Sequence, residues 1–378
     1  MILFDTFNNK DMQNLDKNLK VAILICTRDR PDFMIRAFNY YTKLNSPHPI
    51  YVADSSNDKN VEVLKTVIEK VKNKLTVNYS WYPPGPDNHG SLLKQVTEKY
   101  ACVISDDDYQ IPNSLSKCAQ FLENNPDYAA AGGRAVSFRL KEGGPYGELQ
   151  RLADYPRYSI ESETARQRVI DFMKAFYSIS FFVNRVDNMR KTWELKLNMS
   201  SSMNELVYYN HCIIPGKSKL IDCLSLVRQI HNQRYLPSST FDWMASRNFC
   251  DDYSFFKKNI SEAIAKKDKI DVRDAEEIVR ESFLDYMSKM LAYEHRCYVT
   301  NKYHTKNTLR KNLRTKVGRS FPILKRIYRN YVRPFLTKDL QLHHEVLQPS
   351  SKYYTDFKPI LDSFTGSSLK NPSLFQNP

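Results

Sequence analysis

Residues 101–112 read ACVISDDDYQIP. The first four are apolar, and three carboxylates follow almost at once, at Asp106, Asp107 and Asp108. A short strand without polar alternation is buried on both faces, as in a parallel sheet. The same grammar recurs upstream. VAILIC (21–26) runs into Thr27-Arg28-Asp29-Arg30-Pro31, and Pro31 opens a helical stretch. PIYVAD (49–54) ends on Asp54, and a helix follows at 59–73. TVNYSWY (76–82) runs into the loop PPGPDNHG, and a helix at 90–100 leads back to the triple carboxylate. Strand and helix alternate four times, which predicts an α/β domain around a mostly parallel sheet.

Downstream, the pattern predicts a helix from Pro112 to Asn125, then strand, tight turn and strand over 127–140. It further predicts a helix at 161–175, a strand at 177–185, a helix at 201–211 and a late strand at 220–231. Residues 251–298 are helical in pattern. The expected organisation is a polar lead (1–19), a main α/β domain (20–245), a helical extension (246–300), a basic amphipathic segment (301–338) and a tail (339–378).

Composition sets further bounds. The chain has 378 residues, 42% of them hydrophobic and 26% charged, enough for a packed core. No apolar run reaches membrane-spanning length. The start, MILFDTF, lacks a basic leader, so no signal peptide is expected. Seven cysteines without a CxxC pair fit reduced thiols in a cytoplasmic protein. The net charge is +14, and Lys302–Lys338 carries twelve Lys or Arg and no acid, so the rest holds only 14 − 12 = +2. Leu, Ile, Phe, Tyr and Val alternate with these basic groups, as in a helix lying on an anionic membrane. Nucleic-acid binding and a solvated basic surface are the rival readings of that segment.

In an open parallel sheet, ligands bind beyond the carboxyl ends of the strands. Thr27–Arg30, Asp54, Gly85–Gly90 and Asp106–Asp108 all fall at such ends. Three adjacent carboxylates repel one another, and a hard divalent cation relieves that cost. The plainer alternative is that they favour the start of the helix at Pro112. The dinucleotide fingerprint GxGxxG is absent after the first strand. Gly216-Lys217-Ser218 is no phosphate loop, because His211 stands where the earlier glycine belongs.

The order VAILICTRDRP, IYVADSSND, NHGSLLKQ, VISDDDYQIP resembles the GT-A glycosyltransferases, above all the inverting family 2 type, over residues 20–235. The resemblance implies a Rossmann-like GT-A fold with a C-terminal helical extension. It implies that Thr27, Arg28, Arg30, Asp54, Gly90, Lys94 and Asp106 bind a nucleotide sugar. It further implies that Asp106 and Asp108 hold Mg²⁺ or Mn²⁺, with His231 as a further ligand. The catalytic base falls on Glu205, 97 positions after Asp108 (205 − 108), although the family's usual Glu-Asp pair is here Asn204-Glu205. Arg134, Tyr177, Arg234 and Trp243 are candidates for the acceptor side. The expected partners are a nucleotide-sugar donor, a glycan or lipid-linked acceptor from surface polysaccharide synthesis, and an anionic membrane surface through 302–338, with no nucleic acid. The expected location is the cytoplasm, at the inner face of the plasma membrane. Two other functions compete: a sugar-phosphate nucleotidyltransferase, disfavoured by the lack of a Gly-rich loop after the first strand, and a non-catalytic membrane- or nucleic-acid-binding module.

Overall fold

The computed structural model describes residues 19–84, 88–195, 197–232, 238–304 and 342–365. Strands β1 (Val21–Thr27), β2 (Ile50–Asp54), β3 (Val77–Trp81) and β4 (Tyr100–Ser105) pair in parallel in the order β3-β2-β1-β4. Thr27 lies level with Asp54, Asp54 with Trp81, and Cys26 with Ser105, so four strands end along one edge. β2 is buried at every position and β1 nearly so. This is the two-sided burial that their continuous apolar sequences require. Helices α1 (Pro31–Lys43), α2 (Asp58–Val71) and α3 (Asn88–Gln95) connect them. Pro31 begins α1 at no cost, since the first turn has no partner for the missing N–H. Asn57 caps α2 by accepting the Asn60 N–H at 3.2 Å.

Past β4 the sheet becomes mixed and reaches nine strands among the described residues. β5 (Tyr109–Gln110) runs antiparallel to β9 (Lys217–Gln229). β6 (Tyr128–Leu140) is parallel to β9 and antiparallel to β7 (Leu149–Tyr155) and β8 (Val183–Arg185), and β8 closes onto β4. The remaining helices are α4 (Pro112–Asn124), α5 (Ala165–Ala175), α6 (Val186–Trp193), α7 (Ser201–Ile213), α8 (Thr240–Met244), α9 (Phe249–Asp268), α10 (Val272–His304), α11 (Leu342–Glu345) and α12 (Tyr354–Phe364).

Five features depart from the sequence reading; one is that residues 177–185, expected as a single strand, hold a 3₁₀ turn at Ile179–Phe181 before β8. The expected turn within 127–140 is absent, and β6 runs through Gly132 and Gly133. Those glycines serve close approach: a Cβ on Gly132 would lie 2.5 Å from the Phe182 ring, and one on Gly133 2.4 Å from the Cys223 carbonyl. Residues 149–155 form β7, which pairs with β6 across the loop that follows Leu140. The helical extension shares a core with the sheet-bearing body: Phe256, Ile260, Val279 and Phe283 pack with Phe172 and Val207 of α5 and α7. The tail is also partly core. Phe357, Ile360 and Phe364 are fully buried, and Phe364 stacks on Phe138 with ring centres 4.7 Å apart. The basic segment lies outside the described residues except for the backbone of 302–304. Among the described residues no helix is long and apolar enough to cross a membrane. All seven cysteines are free.

Candidate active site

The triple carboxylate forms a tight turn between β4 and β5, closed by the Asp108 N–H donating to the Ser105 carbonyl at 3.2 Å. It does not cap α4, whose N-cap is Ile111 with no side-chain bond. All three side chains are buried, and each takes different partners. Asp106 accepts the Thr27 hydroxyl at 2.7 Å and the Arg30 guanidinium through both oxygens, the Nε bond measuring 3.1 Å. Asp107 Oδ2 meets His231 Nε2 at 2.7 Å and pairs with Arg30 at 3.4 Å. Asp108 accepts Arg228 Nε at 3.0 Å and the Gln229 backbone N–H at 2.8 Å.

These environments separate the three acidities. Burial pushes Asp106 up to about 6 against the opposing Arg30 charge, with the Asp107 charge adding to the rise. Burial likewise pushes Asp108 up to about 6, opposed by Arg228 and reinforced by Asp107. Burial also acts upward on Asp107, but the His231 hydrogen bond and the Arg30 charge outweigh it and hold that carboxyl below its ordinary value. The middle carboxylate is therefore the one kept most firmly ionised.

Successive residues of a strand face opposite sides, and the end of β9 uses both. Gln229 and, just beyond the strand, His231 turn toward α1, where His231 stacks on Phe33 with centres 5.1 Å apart. Arg228 turns the other way, donates to the Tyr155 hydroxyl at 3.0 Å and lies over the rings of Tyr155 and Phe181. Its positive charge also acts on Glu205 of α7. Glu205 is open to solvent, yet the surrounding protein withholds enough water to raise its carboxyl above the ordinary glutamate range, with Arg228 opposing. Tyr209 and Tyr286 feel the charge of this carboxyl. Tyr155, Arg228 and Glu205 thus stand on the side of the carboxylate turn away from α1.

The other expected residues divide. Thr27 and Arg30 join the carboxylate turn directly. Asp54 sits one strand further along, buried, accepting the Ser56 N–H at 2.8 Å and the Tyr79 hydroxyl at 2.7 Å. Gly90 is buried inside α3 rather than in a loop; Gly85, Pro86 and Asp87 lie outside the described residues. Arg28 and Lys94 are exposed, and Arg28 forms an ion pair with Asp29 at 3.8 Å. His231 meets Asp107, not Asp106 or Asp108, because the turn aims the outer two carboxylates at Arg30 and Arg228. Among the described residues no three His, Cys, Asp or Glu side chains converge as a complete metal cage.

The acceptor candidates make internal contacts where they are described. Arg134 pairs with Asp222, which also accepts from Lys352 and Tyr353, so it ties β6 and β9 to the segment before α12. Tyr177 is buried and donates to the Tyr158 carbonyl at 2.6 Å. Trp243 is buried and donates to the Ser200 hydroxyl at 2.9 Å. Arg234 lies outside the described residues.

Two residues, Arg228 and Arg36, escape the sequence reading, and two more, Asp107 and Asp29, are given no role of their own in it beyond membership of a strand-end cluster. Arg36 had a visible signal, a cation within the buried stripe Phe33, Met34, Ala37, Phe38, Tyr40 and Tyr41 of α1. Asp29 takes a left-handed backbone (φ 53°), which short polar side chains tolerate. Its carboxylate accepts the backbone N–H of Asn57 at 2.9 Å and the side-chain amides of Asn57 and Asn60, locking the end of β1 to the start of α2.

The donor set at the turn suits a divalent cation of the Mg²⁺ or Mn²⁺ type in part. Ligands on adjacent corners of an octahedral ion about 2.1 Å away stand about 3 Å apart. Asp107 Oδ2 and His231 Nε2 stand 2.7 Å apart as a hydrogen-bonded pair with the imidazole fully buried, so a cation there would replace the shared proton and require the turn to open to solvent. One carboxylate and one imidazole leave the remaining positions to water and a phosphate ligand, the usual arrangement for such ions.

No known protein family and no curated protein matches the chain. Solved structures resemble it loosely. S. aureus TarS aligns at 15% identity and a TM-score of 0.46, covering 71% of this chain and 44% of that one, so the chain spans less than half of TarS. TarS 1–349 aligns at 15% identity and a TM-score of 0.46, and its complex with UDP-GlcNAc at 15% and 0.47. These cover 71% of this chain, and 72% and 73% of theirs.

Proposed function

We propose that the chain is a metal-dependent glycosyltransferase of the GT-A type, moving a sugar from a nucleotide-sugar donor to a glycan or lipid-linked acceptor, with inversion. One observation carries this reading. A line of strand-end acids meets, across Arg228, a solvent-open glutamate whose carboxyl is held above its ordinary range. Thr27 and Asp54 border the nucleoside end of the edge. Asp107 and His231 would hold the cation, which when bound supplies neutralisation of the charge developing on the leaving diphosphate. Glu205 accepts the proton of an acceptor hydroxyl as that oxygen attacks the anomeric carbon. The nearby Arg228 charge favours the ionised form that this step needs. Arg228 and Arg30 keep the outer aspartates paired, so the net charge of the turn stays low enough for a diphosphate to approach.

The basic composition of 302–338 supports a role in surface polysaccharide synthesis in a bacterium, with that segment resting on an anionic membrane. Co-sedimentation tests this part: binding that needs anionic lipid and fades with salt supports it, and absence of vesicle binding refutes it. The donor reading is tested by titrating the chain with a panel of nucleotide sugars, with and without Mn²⁺. Binding that Mn²⁺ strengthens is the expected result; no binding by any member overturns the reading.

A further inference from the structure

Arg36 is the most deeply enclosed cation near the site, 1% exposed in the middle of α1. No carboxylate side chain pairs with it among the described residues. Its Nη2 donates to the Asp107 backbone carbonyl at 2.7 Å, and its Nη1 donates to the Pro145 carbonyl at 2.6 Å and to Gln229 Oε1 at 2.5 Å. The guanidinium lies over the rings of Phe33 and Tyr109, 5.1 and 4.8 Å from their centres. Gln229 completes the circuit by donating its side-chain amide to the Gly144 carbonyl at 2.7 Å. A buried charge held only by carbonyl oxygens and ring faces is costly to keep, and its geometry is correspondingly strict.

The three oxygen partners belong to different elements: the carboxylate turn, the end of β9, and the loop Lys141–Glu148 between β6 and β7. That loop carries two glycines with positive φ, Gly143 and Gly147, and the Gly147 N–H donates to the Phe364 carbonyl of α12 at 2.9 Å. We propose that Arg36 is a positioning residue that fixes Asp107 from behind and, with Gln229, couples the posture of the Lys141–Glu148 loop to that turn. The coupling is physical because the same guanidinium bonds the backbone of Asp107 and the backbone of the loop. It deepens the proposed function, since the fixed carboxylate is the one assigned there to the cation. Loss of a group that orients a metal ligand weakens binding by about 10- to 100-fold.

Two variants test this by different routes. Arg36→Met removes every bond, and Gln229→Met cuts the Gly144 link and one of the two Nη1 bonds while sparing the Arg36–Asp107 bond. Amide hydrogen exchange on the full chain without any ligand reads the coupling directly. Both variants are expected to speed exchange in residues 141–148, and Arg36→Met also at the Asp108 amide. Mn²⁺ titration is expected to weaken by about 10-fold or more in Arg36→Met, while Gln229→Met retains closer to wild-type affinity. Unchanged exchange at both places in the folded variants overturns the inference. So does accelerated exchange spread evenly over β1 and β2, which marks general loosening. If the wild type binds no Mn²⁺ or nucleotide sugar, the proposed function fails, whereas the ligand-free exchange pattern still decides the coupling.

Discussion

Replacing Arg228 by Met should produce a stability loss that grows with pH. Arg228 is the cationic partner of Asp108, whose side chain is 1% exposed, and it also bonds Tyr155. Met keeps much of the volume and removes the charge. In the wild type the Asp108 carboxyl titrates near 6, against about 3.9 in an unfolded chain. A carboxyl raised by folding weakens the fold as it ionises: the penalty is absent below the unfolded value, grows between the two values and is constant above the folded one. In the wild type that growth ends near pH 6. Without Arg228 the burial that raises Asp108 acts unopposed by its main counter-charge, so the folded value climbs and the penalty keeps growing. Each further pH unit costs about 1.4 kcal/mol. Below pH 5 the variant should lose only about 1 kcal/mol, from the ring contacts and the Tyr155 bond. By pH 8 the gap should approach the 3–5 kcal/mol typical when a buried ion pair loses one member. Urea unfolding in chelator at pH 5, 6, 7 and 8 measures this. Parallel stability curves, or a gap that widens toward acid, would refute the reasoning.

Glu205→Gln should cut transfer by about 10²–10⁴-fold and leave donor affinity nearly unchanged; an equal loss in titration calorimetry would move Glu205 into the donor site. Because its carboxyl is raised and must be ionised to accept a proton, wild-type kcat/KM should fall with acid at a pH above the ordinary glutamate range, a limb that Gln abolishes. An acid limb that survives in the Gln variant belongs to another group. Phe364→Ala in α12 should cost about 3–5 kcal/mol, because the ring is fully buried against Phe138; a change under 1 kcal/mol in chemical unfolding would show that the C-terminal helix is dispensable to the core.

The parallel half of the sheet was legible because its strands have to be apolar on both faces, and each ends on a polar cluster that the sheet then aligns. Thr27, Asp54 and the triple aspartate could be found that way. Which aspartate does what could not, since spacing alone cannot tell how a three-residue turn aims its side chains; the choice is made by Arg30 and Arg228, 76 and 120 positions away. Arg228 and Gln229 sit in LSLVRQIH, where the alternation of a strand hints that one faces each side, but the partners on each side come from distant elements. The glycines of β6 were misleading for a physical reason, since the lack of a Cβ serves a turn and a close approach equally well. The C-terminal helices were hidden by their Ser- and Pro-rich surroundings, although Phe357, Ile360 and Phe364 carry a helical spacing.

The central claim is tested most directly by release of a nucleoside diphosphate from nucleotide sugars. The wild-type chain, given a donor panel with Mn²⁺ and then with excess chelator, should release the diphosphate from at least one donor, and chelation should abolish the release. Full activity in chelator would contradict the cation assigned to Asp107 and His231. Failure to cleave any donor, together with pyrophosphate release from a nucleoside triphosphate and a sugar phosphate, would contradict glycosyl transfer itself.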